Sequence, residues 1–127
     1  MNRTILLTGI ILGLLAVILG AFGAHGLEKL VDKDAIETYE VGVRYQMYHA
    51  LFLLFVGLWT GLADKVKKLV FIFVLVGVIL FSGSIYLLAM NELTAFDFKI
   101  IGFLTPIGGV FMILGWVFVA YKLVKTT

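Results

Sequence analysis

Residues Leu69–Met90 read LVFIFVLVGVILFSGSIYLLAM and carry no charge. About 20 consecutive apolar residues suffice to cross the ~30 Å hydrocarbon core of a bilayer as a helix. Three further blocks have the same character: Ile5–Gly23, Tyr45–Ala63 and Ile100–Tyr121. In lipid every backbone polar group must find its partner inside the protein, which leaves helices or a closed barrel. A barrel strand alternates polar and apolar residues, and none of these blocks does. The expectation is an all-α integral membrane four-helix bundle of up-down topology. It forms one transmembrane domain over residues 1–127, with spans at about 5–23, 45–63, 69–90 and 100–121.

Composition supports this class. Hydrophobic residues make up 62% of the chain and charged residues 14%, against roughly 25% charged in soluble domains. The first block resembles a signal peptide, but its apolar run exceeds the usual ~7–15 residues of a signal core, so it reads as a retained span. The chain has no cysteine, which excludes disulfides, thiolate metal sites and cysteine nucleophiles. The net charge is only +2 and the bases are scattered at helix ends, so nucleic acid is not an expected partner. The expected partners are membrane lipids, with a homo-oligomer left open.

Four spans place the N-terminus, the loop at Asp64–Lys68 and the C-terminus on one side. That side holds Arg3, Lys65, Lys67, Lys68, Lys122 and Lys125; the other holds Lys29, Lys33, Arg44 and Lys99. Lys and Arg are retained in the cytoplasm, which favours cytoplasmic termini.

Between the first two spans the sequence changes character. Gly20–Ala50 reads GAFGAHGLEKLVDKDAIETYEVGVRYQMYHA and contains both histidines, His25 and His49. The first helix should loosen where Gly23 and Gly26 flank His25. Asp34-x-x-Glu37 has the form of a capping box, predicting a helix from near Ala35 to Ala63 with an extended extracytoplasmic start. Its helical phase sets Glu37, Glu40, Arg44 and Tyr48 on one side. Gly42, Tyr45, Gln46, His49 and, deeper, Gly57 and Thr60 fall on the other, so Gln46 and His49 should point into the bundle. Leu51, Leu54, Phe55, Leu58 and Leu62 continue the outward side and read as lipid-facing.

Other helices bring polar groups to the same half. Ser82, Ser84 and Tyr86 fall in the outer part of helix three, Thr105 and Pro106 in that of helix four. Pro106 predicts a kink or break there, with Thr105 or water satisfying the freed carbonyl of Gly102. Ionisable groups within a membrane are costly and mark candidate sites. The candidate ligand-binding residues are therefore His25, Tyr45, Gln46, His49, Ser82, Tyr86 and Thr105. The competing reading is structural: in lipid, polar side chains and small residues hold helices together. Gly9, Gly13, Ala16, Gly20 and Gly23 form such a small-residue face on helix one, available for internal packing or a homo-oligomer.

Four motifs together resemble one family. They are Gly20-Ala-Phe-Gly-Ala-His-Gly26, Glu37-Thr-Tyr-Glu-x-Gly-x-Arg-Tyr-Gln-Met-Tyr-His-Ala50, Phe81-Ser-Gly-Ser-x-Tyr86 and Thr105-Pro-Ile-Gly-Gly109. The family is domain of unknown function 423, which includes eukaryotic transmembrane protein 256. The resemblance covers nearly the whole chain. It implies a four-helix integral membrane protein, in bacteria of the inner membrane, and carries over no active site.

Three function classes follow. The first is a binding or structural protein whose outer polar pocket holds a lipid headgroup, a small amphiphile or a partner helix. The second is a small oligomeric transporter or channel exploiting a broken fourth helix. The third, an enzyme, is the weakest. A hydrolytic triad needs a carboxylate aligned behind its base, and the acids lie on the opposite helical face or in loops. No metal-ligand spacing or cofactor motif is present, so no catalytic residue, metal or cofactor is assigned.

Overall fold

The computed structural model describes residues 1–126, and the described residues are helical with no strand. Four long helices follow one another: α1 (Arg3–His25), α2 (Lys33–Leu58), α3 (Asp64–Ala89) and α4 (Leu104–Thr126). All four are long and apolar enough to cross a membrane. Short 3-10 turns at Leu27–Lys29, Asn91–Leu93 and Phe98–Ile101 fill the connections on one side of the bundle.

Each helix packs antiparallel against the next, α1 on α2, α2 on α3 and α3 on α4. The central pair α2 and α3 buries more of its surface than the outer pair α1 and α4. The outward faces of α1 and α4 are aliphatic, as at Leu7, Leu14, Val17, Val110, Ile113 and Val117. Lipid tails are as apolar as these side chains, so they need no protein cover. At the end bearing the termini an apolar cluster of Ile5, Phe52, Leu53, Val56, Val70, Val74 and Met112 forms the core, and Lys67 is buried at the same end.

Close approach between helices rests on glycine. A Cβ added at Gly9 would lie 2.9 Å from the carbonyl oxygen of Ala50, and one at Gly23 would strike the ring of Tyr39 at 2.6 Å. The small-residue face of α1 is thus spent on α2 within the chain. At Gly108 a Cβ would meet the backbone nitrogen of Phe81 and, at 2.8 Å, the carbonyl oxygen of Gly77. There α3 and α4 touch backbone to backbone.

Several boundaries differ from the sequence reading. Helix α1 does not loosen at Gly23; it runs through His25 and closes when the N–H of Gly26 bonds the carbonyl of Phe22 at 2.8 Å. The N-cap of α2 is Asp32, whose carboxylate accepts from Ala35 N–H at 2.8 Å. Asp34 instead sits in the first helical turn, where its charge meets the positive end of the helix dipole. Helix α2 stops at Leu58, not Ala63, because Trp59 turns to an extended backbone. Two donors then cover one of its terminal carbonyls: Gly57 accepts from the N–H of Asn2 at 3.0 Å and from the Lys67 ammonium at 3.2 Å. With the helix ended, Leu62 tucks into the core rather than facing lipid, and Thr60 is exposed.

Pro106 neither kinks nor breaks a helix. Helix α4 begins at Leu104, which puts Pro106 in the first turn, where an N–H has no intrahelical partner anyway. The carbonyl of Gly102 accepts from the backbone N–H of Thr105 at 3.4 Å.

Candidate functional site

The inward face of α2 carries the polar residues into the bundle. Glu37, Glu40, Arg44 and Tyr48 are exposed, while Gly42, Gln46 and His49 are buried. Tyr45 lies at the margin, 39% exposed. In a dry interior each buried donor and acceptor needs a partner, and here each finds one inside the protein. No buried side-chain nitrogen or oxygen among the described residues is left unpaired.

The bonds resolve into separate groups. Gln46 ties three helices together: its amide Nε2 donates to the carbonyl of Leu12 in α1 at 2.8 Å, and its Oε1 accepts from the Tyr86 hydroxyl of α3 at 2.6 Å. Ser82 donates to the carbonyl of Gly42 at 2.7 Å, a close crossing that glycine permits. Ser84 and Thr105 share a 2.6 Å bond between α3 and α4, and Ser84 also donates to the carbonyl of Phe81 at 3.0 Å. Tyr39 closes the far end by donating its hydroxyl to the carbonyl of Leu19.

His49 forms the last group. Its Nδ1 lies 2.7 Å from the carbonyl oxygen of Tyr45, and its Nε2 lies 2.9 Å from the indole Nε1 of Trp116. A carbonyl only accepts and an indole N–H only donates. The pair therefore fixes His49 as the neutral tautomer with hydrogen on Nδ1 and a lone pair on Nε2. Trp116 is held in turn by stacking on Phe52, with centroids 3.8 Å apart. His25, by contrast, is exposed at the end of α1 and does not join the others. No three His, Asp or Glu side chains gather among the described residues.

The sequence places Gln46, His49, Ser82, Ser84, Tyr86 and Thr105 in the interior; of these the fold pairs Gln46 with Tyr86 and Ser84 with Thr105, while Ser82 bonds the Gly42 carbonyl and His49 bonds Trp116. Sequence reading missed Trp116 because tryptophan in an apolar block gives no signal of a polar partner. It missed the burial of Lys67, 2% exposed, because a lysine beside a loop looks solvated.

Beside this network, between α2 and α4, opens a cavity of about 310 Å³. Its walls are Val41, Tyr45, Phe81, Met112 and Ile113, with the His49–Trp116 pair at its lining. Gly109 leaves room at its edge, since an added Cβ would stand 3.8 Å from the Phe81 ring. The Tyr45 ring packs on Phe81 and on Tyr48.

Comparison with known proteins agrees with the membrane architecture. Residues 19–109 match the family described as "Protein of unknown function (DUF423)". A UPF0382 membrane protein, YwdK of Bacillus subtilis, is 38% identical over 97% of this chain and 98% of its own length. A UPF0382 membrane protein of Haemophilus influenzae is 37% identical over 90% of this chain and 88% of its own. The UPF0382 inner membrane protein YgdD of Escherichia coli is 35% identical over 91% of this chain and 85% of its own. No solved structure matches. Four apolar helices, a polar network on the inward side of α2 and relatives that span nearly the whole chain lead to one conclusion: the chain belongs to the DUF423 family of membrane proteins.

Proposed function

We propose that the protein is a binding protein of the bacterial inner membrane, with both termini cytoplasmic, that holds the apolar part of a lipid or small amphiphile between α2 and α4. One observation carries this reading: the cavity of about 310 Å³ is walled by apolar side chains, while the neighbouring polar groups are already bonded to one another. Such a cavity selects for hydrocarbon rather than for a headgroup, and pockets of about 300 Å³ and more are the size that small ligands occupy. Tyr45, on the cavity wall and part-exposed, offers the hydroxyl that orients the polar end of the occupant. Transport has less support, because α4 is unbroken and apolar side chains pack the core at the end bearing the termini, where the buried Lys67 is tied to the Gly57 carbonyl.

Native mass spectrometry of the purified protein tests the reading. The wild type should retain a lipid or amphiphile, and Gly109→Leu, which fills the cavity edge, should release it with the fold intact. Equal retention by the two proteins, or none by the wild type, would defeat the proposal.

A further inference from the structure

On the other side of α4, near the termini, lies a second groove of about 340 Å³ between α3 and α4. Leu69, Phe73, Leu114, Val117, Phe118 and Tyr121 line it, all but the Tyr121 hydroxyl apolar. From Leu114 to Tyr121 it follows two turns of α4, roughly 10 Å along the membrane normal. Two lysines stand at its outer lip. Lys122 Nζ lies 5.4 Å from the Phe118 ring centroid and 6.0 Å from that of Tyr121, and Lys125 Nζ lies 5.7 Å from Tyr121. The aromatic lining of the groove thus draws both ammonium groups to its mouth.

We propose that this groove is a binding site for an anionic phospholipid, with an acyl chain along α4 and the phosphate between Lys122 and Lys125. Charge complementarity selects this occupant. The end of the bundle that bears the termini holds Arg3, Lys65, Lys68, Lys122 and Lys125 outside the core against one acid, Asp64. A second copy docking by a two-fold axis normal to the membrane would set the same lysines against each other at the same depth, which like charges oppose. An anionic lipid meets both requirements, hydrocarbon below and negative charge above. Each lysine near a lipid surface adds on the order of fivefold to the affinity for anionic lipid, so the pair contributes more than tenfold.

The test is native mass spectrometry of the full chain titrated with phosphatidylglycerol and with phosphatidylcholine of identical acyl chains. The wild type should retain phosphatidylglycerol at least about tenfold better, following the lysine contribution above. Lys122→Gln with Lys125→Gln should abolish the preference, and Val117→Trp should displace the lipid with the charges intact. The same substitutions at Lys29 and Lys33, on the opposite end, should change nothing. Should the double glutamine variant fail to fold, Lys125→Gln alone, at an exposed residue, should still lose several-fold, as one lysine would. Equal retention of the two lipids would overturn the proposal, as would full retention by the glutamine variants or an equal loss from the Lys29 and Lys33 pair. A lipid-free dimer that Val117→Trp dissociates would assign the groove to a second copy instead.

Discussion

His49 has both ring nitrogens committed, one to the carbonyl of Tyr45 and one to the indole of Trp116. A histidine so held has no free lone pair for a metal, and its role in the fold is to join α2 to α4. Trp116→Phe keeps the stack on Phe52 but removes the donor. It should cost about 0.6–1.7 kcal/mol, the range of interhelical hydrogen bonds within membranes, as measured by reversible unfolding in mixed micelles. Gln46 carries more, because it bridges α1 and α3. Gln46→Leu takes away the acceptor of the part-buried Tyr86 hydroxyl, a loss of about 1–3 kcal/mol. Adding Tyr86→Phe removes the donor that lost this acceptor, so the double variant should be no less stable than Gln46→Leu alone. Additive losses would mean that the two side chains do not act through one bond.

At the scale of elements, helix contact and helix capping make separate predictions. Alanine at Gly108 would drive a Cβ into the backbone of Phe81 and Gly77, which cannot rotate aside. Gly108→Ala should therefore destabilise by about 1–3 kcal/mol, as overpacking does. Gly83 has nothing within 4 Å of an added Cβ, so Gly83→Ala should stabilise, by up to ~1 kcal/mol from helix propensity. Thermal melts of the two variants in detergent should move in opposite directions. The N-cap of α2 separates two neighbouring aspartates. Asp32→Ala should cost ~1 kcal/mol, since Ala35 N–H loses its acceptor. Asp34→Ala should cost a few tenths, because only a dipole interaction is lost. The reverse order in the same melts would restore Asp34 as the cap.

At the scale of the whole molecule, an even number of spans puts the termini on one side, and the basic residues decide which. Arg3 and the cluster Lys65, Lys67 and Lys68 in and beside a short turn predict cytoplasmic termini. A reporter that fluoresces only in the cytoplasm should be bright at either end. A phosphatase active only outside should work when inserted in the 91–97 segment. The opposite pattern would invert the orientation and place the Lys122–Lys125 groove in the outer leaflet. The packing itself is sequential, with α2 and α3 central and α1 and α4 lipid-facing, so substitutions on the outward faces of α1 and α4 should be the best tolerated.

Four membrane helices were legible in the sequence, because the length and apolarity of a span are set by the bilayer, an environment the chain meets everywhere alike. The inward phase of Gln46 and His49 was legible for a related reason: helical geometry fixes which residues share a face. Which partner each polar group takes was not. His49 bonds a tryptophan 67 positions away, and Ser82 bonds the carbonyl of Gly42 across 40. Those choices depend on how closely glycines let two backbones approach, a property of helix pairs rather than of any one helix. The same holds for the start of α4, where Pro106 looked like a break until the preceding turn placed it in the first helical turn. Sequence alone determined that polar groups enter this bundle; tertiary packing decided that they satisfy one another and leave an apolar cavity beside them.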